Sequence, residues 1–286
     1  MKHLITFLLL MPVIATYAEP LPLPPDSVIY LPAVSTTAND RHGLAWSYGS
    51  LDMDAWSKYN ISWYYHWSSK PWAHVPQSVE FVPMVWCDDA ELWDMAVANI
   101  PADWDGYILL ANEPEFPDQC NATPERVAEL VHRARLMWPD AKLVAPQSHV
   151  CWWENDPPTP PCGLYGERFT VESFILAYRD KYGTIPPLHA YGLHYGDVMY
   201  WTPRLSALLD SYGIDAPVWY SEFNYCGDDA ARFRAILQFL NGHPRVERYA
   251  YWSNMRADNL CALTDNNSRY PYDATWRGRV YAEFGQ

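Results

Sequence analysis

The chain alternates short, continuously apolar runs with longer stretches in which apolar positions recur at helical spacing. Runs rich in β-branched and aromatic residues, bounded by turn residues, occur at 41–46, 62–67, 80–86, 106–111, 142–147, 188–195, 217–223 and 246–252, and they predict eight strands. Most are uniformly apolar instead of alternating, which is the mark of strands covered on both faces, as in a parallel sheet. Helical spacing lies between several of them, at 88–98, 123–138, 171–182, 203–212 and 228–240. Thr123-Pro124-Glu125 is a start signal, with Pro at the first helical position. The second crossover, 68–78, carries Pro71 and Pro76 and has no clear period, so an irregular or shortened element is expected there.

Strand-then-helix units repeated eight times imply right-handed parallel crossovers. No Gly-x-Gly-x-x-Gly is present to support a doubly wound dinucleotide fold. The expected architecture is therefore α/β, a single-domain (β/α)8 barrel over residues 41–286 with some irregular or shortened helices. Ahead of it, Lys2 and His3 precede an apolar run from Leu4 to Ile14, followed by Ala15 and Ala18, which reads as a secretory signal peptide over 1–18. Residues 19–40 are rich in Pro (Pro20, Pro22, Pro24, Pro25, Pro32) and read as a linker. The leading apolar run is too short to span a bilayer, so a secreted, extracellular or periplasmic protein is expected, without a membrane span and acting as a monomer.

Composition narrows the chemistry. With 20 Lys+Arg against 34 Asp+Glu the net charge is −14, which repels a phosphate backbone and argues against nucleic acid as a partner. The 15 Trp and 21 Tyr exceed what a core of this size needs, and such rings suit flat, partly polar ligands. His42 is followed by Gly43 and Leu44, not by the second His of a barrel metallohydrolase, so neither metal nor cofactor is expected. There is no Gly-x-Ser-x-Gly elbow and no phosphate-binding loop.

In a (β/α)8 barrel the chemistry sits at the carboxyl ends of the strands. Two of the predicted strands end in a carboxylate: Tyr107-Ile108-Leu109-Leu110-Ala111 runs into Asn112-Glu113-Pro114, and Val218-Trp219-Tyr220-Ser221 runs into Glu222-Phe223-Asn224. Two such groups facing one bond can act as proton donor and as nucleophile or base. Together with Gly43-Leu44-Ala45-Trp46, Phe81-Val82-Pro83-Met84-Val85-Trp86, Leu143-Val144-Ala145-Pro146, Gly192-Leu193-His194-Tyr195-Gly196, Trp219-Tyr220-Ser221-Glu222-Phe223 and Arg248-Tyr249-Ala250-Tyr251-Trp252, the chain resembles glycoside hydrolase family 128 of the retaining clan A, the endo-β-1,3-glucanases, over about residues 41–284. The resemblance implies a β-1,3-glucan substrate, Glu113 as acid/base, Glu222 as nucleophile, and Asn112 bonding the sugar 2-hydroxyl. It implies also that His194 and Tyr195 bond Glu222 or sugar hydroxyls.

Trp46, Trp86 and Trp252 close strands on that same side, and Trp152 and Trp153 follow the fifth strand; all are expected to line a sugar groove. Glu115 is open between binding hydroxyls and being solvated, and His189 is expected to face away or deeper. All six cysteines, Cys87, Cys120, Cys151, Cys162, Cys226 and Cys261, follow strands, and in an exported chain they are disulfide candidates. Six cysteines allow 15 pairings; neighbouring loops suggest Cys87 with Cys120, Cys226 with Cys261, and Cys151 with Cys162. Two alternatives remain, another clan-A glycanase acting on mannan or xylan, and an inert barrel that only binds glycans.

Overall fold

A computed structural model describes residues 38–46, 54–149, 169–194, 197–253, 261–265 and 273–286. The expected signal peptide, most of the expected linker, Tyr195, Trp152, Trp153, Cys151 and Cys162 lie outside the described residues. The last residues of the expected linker, from Ala38, form a 3-10 turn ending at Arg41.

Among the described residues nine parallel strands follow in chain order: β1 (His42–Ala45), β2 (Trp63–Tyr65), β3 (Glu80–Phe81), β4 (Met84–Val85), β5 (Tyr107–Leu110), β6 (Lys142–His149), β7 (Ala190–His194), β8 (Val218–Phe223) and β9 (Val246–Trp252). Their order in the sheet is β3-β2-β1-β9-β8-β7-β6-β5-β4. The two ends of that order, β3 and β4, are a single predicted strand divided at Val82-Pro83, because Pro83 has no N–H to give to a ladder. Pairing continues across the break: Val82 N donates to Tyr64 O, and Pro83 O accepts from Leu109 N, each at 2.9 Å. The segment therefore bonds β2 on one side and β5 on the other, and the sheet closes into a ring.

Successive strand residues point to opposite faces, and this sorts the apolar runs into two clusters. Ala45, Trp63, Tyr65, Val82, Met84, Leu109, Val144, Ala190, Trp219 and Ala250 fill the ring interior. Their neighbours Leu44, Tyr64, Ile108, Leu110, Leu143 and Tyr191 face outward and pack with the helices. Small residues at Ala45, Ala190 and Ala250 leave room for the bulky rings of Trp63, Tyr65 and Trp219 to fill the interior. At Gly43, for example, an added Cβ would lie 2.2 Å from the Trp63 ring, so only glycine lets that indole pass.

The helices are α1 (Ala55–Lys58), α2 (Ala90–Asn99), α3 (Pro124–Met137), α4 (Val171–Tyr182), α5 (Val198–Ser211), α6 (Ala230–Gly242) and α7 (Trp276–Glu283). Local chemistry explains their ends. Thr123 accepts from Arg126 N ahead of Pro124, Thr170 and Ser173 form a reciprocal capping box, and Gly183 closes α4 in the left-handed region at φ 74°. One start differs from expectation: α5 was expected from Pro203 but begins at Val198. There the Asp197 carboxylate caps Met199 N and Tyr200 N, and burial of Trp201, Leu205 and Leu209 carries the helix through the proline. No helix forms over 68–78; instead the His66, Trp72 and His74 rings stack, with His66 and Trp72 centroids 4.1 Å apart. None of the helices among the described residues is long and apolar enough to cross a membrane.

A polar network sits at the amino-terminal pole of the ring. Glu247 accepts from His189 Nε2 at 2.8 Å and Trp219 Nε1 at 2.7 Å, while Arg248 pairs with Glu80 at 2.7 Å over the Tyr107 ring. His189 thus faces this pole, as expected. Burial by itself would raise the Glu247 carboxyl, but the His189 and Trp219 bonds and the nearby Arg248 charge outweigh it and hold it below the usual carboxylate value. A depressed folded pKa gives stability that is present above the unfolded value of about 4.3 and is lost as pH falls through the folded one. Glu247→Gln is accordingly expected to destabilise the fold by about 1–3 kcal/mol at pH 7, with the deficit shrinking below about pH 4. Melting temperatures of both proteins across pH 3–8 check this; a deficit that does not narrow at low pH would contradict it.

Candidate active site

Both carboxylates singled out in the sequence reach the carboxyl end of the ring. Glu113 stands just past β5 on a tight turn. Ala111 (φ 59°) and Glu113 (φ 41°) both occupy the left-handed region, which is costly for residues other than glycine and is kept only where surroundings enforce it. Here main-chain bonds to both neighbours enforce it: Ala111 N to Val85 O, Asn112 N to Trp86 O, Glu113 N to Gln147 O, and Gln147 N back to Ala111 O, all between 2.8 and 3.1 Å. The Cys87–Cys120 disulfide and the bond from Cys120 N to Asn112 O pin the far side of the turn. The Cys226–Cys261 disulfide, after β8 and β9, is the second expected pair found; both bridges join neighbouring loops.

Glu222 lies within β8 and is 3% exposed. Its Oε1 accepts from Tyr65 Oη at 2.7 Å and Trp67 Nε1 at 2.9 Å, both delivered by β2 from across the ring. His194 ends β7, fully buried, with Nδ1 3.3 Å from Glu113 Oε1 and 3.5 Å from Glu222 Oε1. One atom from each of the three groups lies within 4.8 Å of the other two. Two carboxylates and an imidazole could in principle hold a cation, but here Glu222 Oε1 is already occupied by an O–H and an N–H donor, which suits a hydrogen-bonded anion better.

Electrostatics ties the three groups together. Burial alone would lower His194, but Glu222 and Glu113 outweigh it and raise it above the ordinary histidine value. Burial raises Glu222, and the neighbouring Glu113 charge adds to this, against the opposing pull of His194 and the Tyr65 and Trp67 bonds. Like charges this close disfavour each other, and His194 beside both is the group that can offset them.

The remaining expected residues divide. Asn112 is buried beside Glu113, its Nδ2 donating to Gln119 Oε1 at 2.9 Å and its Oδ1 without a partner. Trp86 and Trp252 are half-buried at the mouth and pack on the ring interior. Trp46 is a correction: it is 1% exposed, edge-on to Tyr64 and Trp72, so it packs in the core and presents no ring face to a groove. Glu115 is neither solvated nor turned to the opening; it is buried and bonded to Ser148 and His149 N. Tyr65 and Trp67 were not singled out. Trp67 had a signal, since it closes its strand as Trp86 and Trp252 do; Tyr65 had none, being one aromatic among three in Trp63-Tyr64-Tyr65.

A family model described as the glycosyl hydrolase catalytic core matches residues 43–273, and the chain belongs to that family. The resemblance to glycoside hydrolase family 128 holds in three dimensions. A subgroup II endo-β-1,3-glucanase of that family from Pseudomonas viridiflava is similar at 25% identity and TM-score 0.63, over 85% of this chain and 96% of that one. A subgroup III curdlan-specific exo-β-1,3-glucanase from Blastomyces gilchristii, solved with glucose, shares the fold at 23% identity and TM-score 0.61, over 86% and 98%. So does a subgroup I endo-β-1,3-glucanase from Amycolatopsis mediterranei with laminaritriose, at 21% identity and TM-score 0.61, over 86% and 99%. A comparison with curated proteins finds no match.

The donors on Glu222 make a direct prediction. Tyr65→Phe removes one bond that lowers the Glu222 carboxyl, so its titration moves to higher pH and the acidic limb of kcat/KM moves up with it. A decrease in kcat on the order of 10- to 100-fold at neutral pH should accompany the shift. An acidic limb that stays put or moves to lower pH would contradict the geometry.

Proposed function

We propose that this chain is a secreted, monomeric β-1,3-glucanase that cleaves with retention, through a covalent glycosyl-enzyme on Glu222 and with Glu113 as acid/base. The observation that carries the reading is that one oxygen of each carboxyl lies within 4.8 Å of the other at the open end of the ring. Carboxyl groups about 5–5.5 Å apart act by double displacement, whereas an inverting pair stands roughly 6.5–9.5 Å apart to admit a water.

Each residue's surroundings fit one role. Glu222 is immobilised through Oε1 by Tyr65 and Trp67, which leaves Oε2 to form the bond to the anomeric carbon. As that bond forms, the glycosidic C–O bond breaks and Glu113 gives its proton to the departing oxygen. Glu113 then takes a proton from water, which attacks the same carbon and releases Glu222. His194, whose pKa both carboxylates raise, stands beside each of them, so it can offset the anion as the proton leaves Glu113 in the first step and returns in the second.

The choice of β-1,3-glucan rests on relatives named as β-1,3-glucanases and solved with glucose or laminaritriose. Trp86, Trp252 and Trp67 around the mouth offer ring faces for pyranose stacking. The two disulfides fit an oxidising compartment, which agrees with export.

Incubation with linear β-1,3-glucan, mannan and xylan tests the assignment, with reducing ends measured. Release from the β-1,3-glucan alone is expected. Release from mannan or xylan in its place, or gel retardation of glucan without any release, would overturn the substrate or the activity. Glu222→Gln should lower turnover by roughly 10³-fold or more while glucan still retards the protein. Glu113→Ala should lose far more on polymer than on an aryl glucoside, whose leaving group needs no proton; equal losses on both would remove Glu113 from the acid role.

A further inference from the structure

Glu115 is a third carboxyl, two residues beyond Glu113, and the reaction just described does not use it. It is 5% exposed. Its Oε1 accepts from Ser148 Oγ at 3.2 Å and from His149 N, both at the end of β6, while its Oε2 is enclosed with no partner. The same end of β6 receives Glu113 N through Gln147 O. The Glu113 turn is thus tied to β6 by main-chain bonds at Ala111 and Glu113 and again by the Glu115 side chain. The turn needs such ties, since Ala111 and Glu113 both sit in the left-handed region.

We propose that Glu115 is a positioning residue for the acid/base, holding the Glu113 turn against β6 through the bonds its side chain accepts from Ser148 and His149 N. This rests on the reading of Glu113 as acid/base. An ionised carboxylate with one enclosed oxygen lacking any donor would be far costlier than the neutral acid in the same place. The surroundings oppose ionisation from several sides. On its own turn stands Glu113, whose charge disfavours a second anion; His149 on β6 is held near a pKa of about 4 by burial and offers no positive charge at working pH. Across the mouth, the positive charge of His194 on β7 lies between Glu113 and Glu222 of β8 and is engaged by them. Burial first, and the Glu113 charge in addition, push Glu115 well above the usual carboxylate range, against the bonds from its own backbone, His149 N and Ser148.

The test compares Glu115→Gln, Glu115→Asp and Glu115→Ala in the full chain, with kcat and KM on soluble β-1,3-glucan and on an aryl β-glucoside, pH profiles and melting temperatures. Gln keeps an oxygen for Ser148 and His149 N and carries no charge, so it should stay within about threefold of the parent, with both limbs of its pH profile unmoved. Ala should lower kcat on the polymer roughly 10- to 100-fold with little change in KM, and spare the aryl glucoside. Asp, too short to reach β6, should fall on the Ala side, which keeps the comparison decisive if Ala does not fold. Gln as impaired as Asp, a displaced limb in Gln, or Ala at parental rates would overturn the proposal. Glu113→Ala run alongside separates the two readings: equal loss on both substrates there defeats the acid role itself, while the Gln, Asp and Ala contrast in kcat and pH limbs still judges the tie.

Discussion

Closure of the parallel sheet is the constraint on which the rest depends. Glu113 follows β5 and Glu222 lies in β8, with two strands between them on one side of the ring, while Tyr65 of β2 and Trp67 just after it reach Glu222 from the other. An open sheet would leave β3 and β4 at its two edges. The joint is the stretch of β3 and β4, where Pro83 breaks the ladder but lends its carbonyl to Leu109. The interior must then be filled, and Trp63, Tyr65 and Trp219, set against Ala45, Ala190 and Ala250, do so. One of those filling side chains, Tyr65, also bonds the buried carboxylate, so packing and chemistry share residues.

Bringing two acids together in a buried place is unfavourable, and the surrounding groups show how the cost is met. His194 stands between the two carboxyls, whose charges raise its pKa, and Glu222 gains two donors besides. Three residues around the site, Trp67, Ala111 and Glu113, hold left-handed backbone, as strained residues at functional sites often do. Disulfides secure the loops after β4, β5, β8 and β9, where the Glu113 turn and the segment after Glu222 leave the ring. Stability is thus concentrated where the local conformation is least favourable.

Much of this was legible in the sequence because it depends on local signals. Continuous apolar runs mark strands buried on both faces, and Thr123 ahead of Pro124 marks a helix start. A Glu after each of two such runs marks the candidate site. What was not legible depends on neighbours distant in the chain. Trp46 closes its strand as Trp86 does, yet Tyr64 and Trp72 cover it. Glu115 looks like any polar loop residue until β6 is seen to close over it. Pro203 resembles a helix start, but Asp197 caps an earlier one. The donors on Glu222 come from the opposite side of the ring, and no sequence spacing encodes that approach.

The most direct test of the central claim is the anomeric form of the first sugar released, followed by proton NMR during the first minutes of glucan hydrolysis, before mutarotation. Two carboxyl groups with an oxygen of each within 4.8 Å of the other predict that the β-anomer forms first, the configuration of the bond that was cut. Initial release of the α-anomer would mean a single displacement by water, and would contradict a covalent role for Glu222.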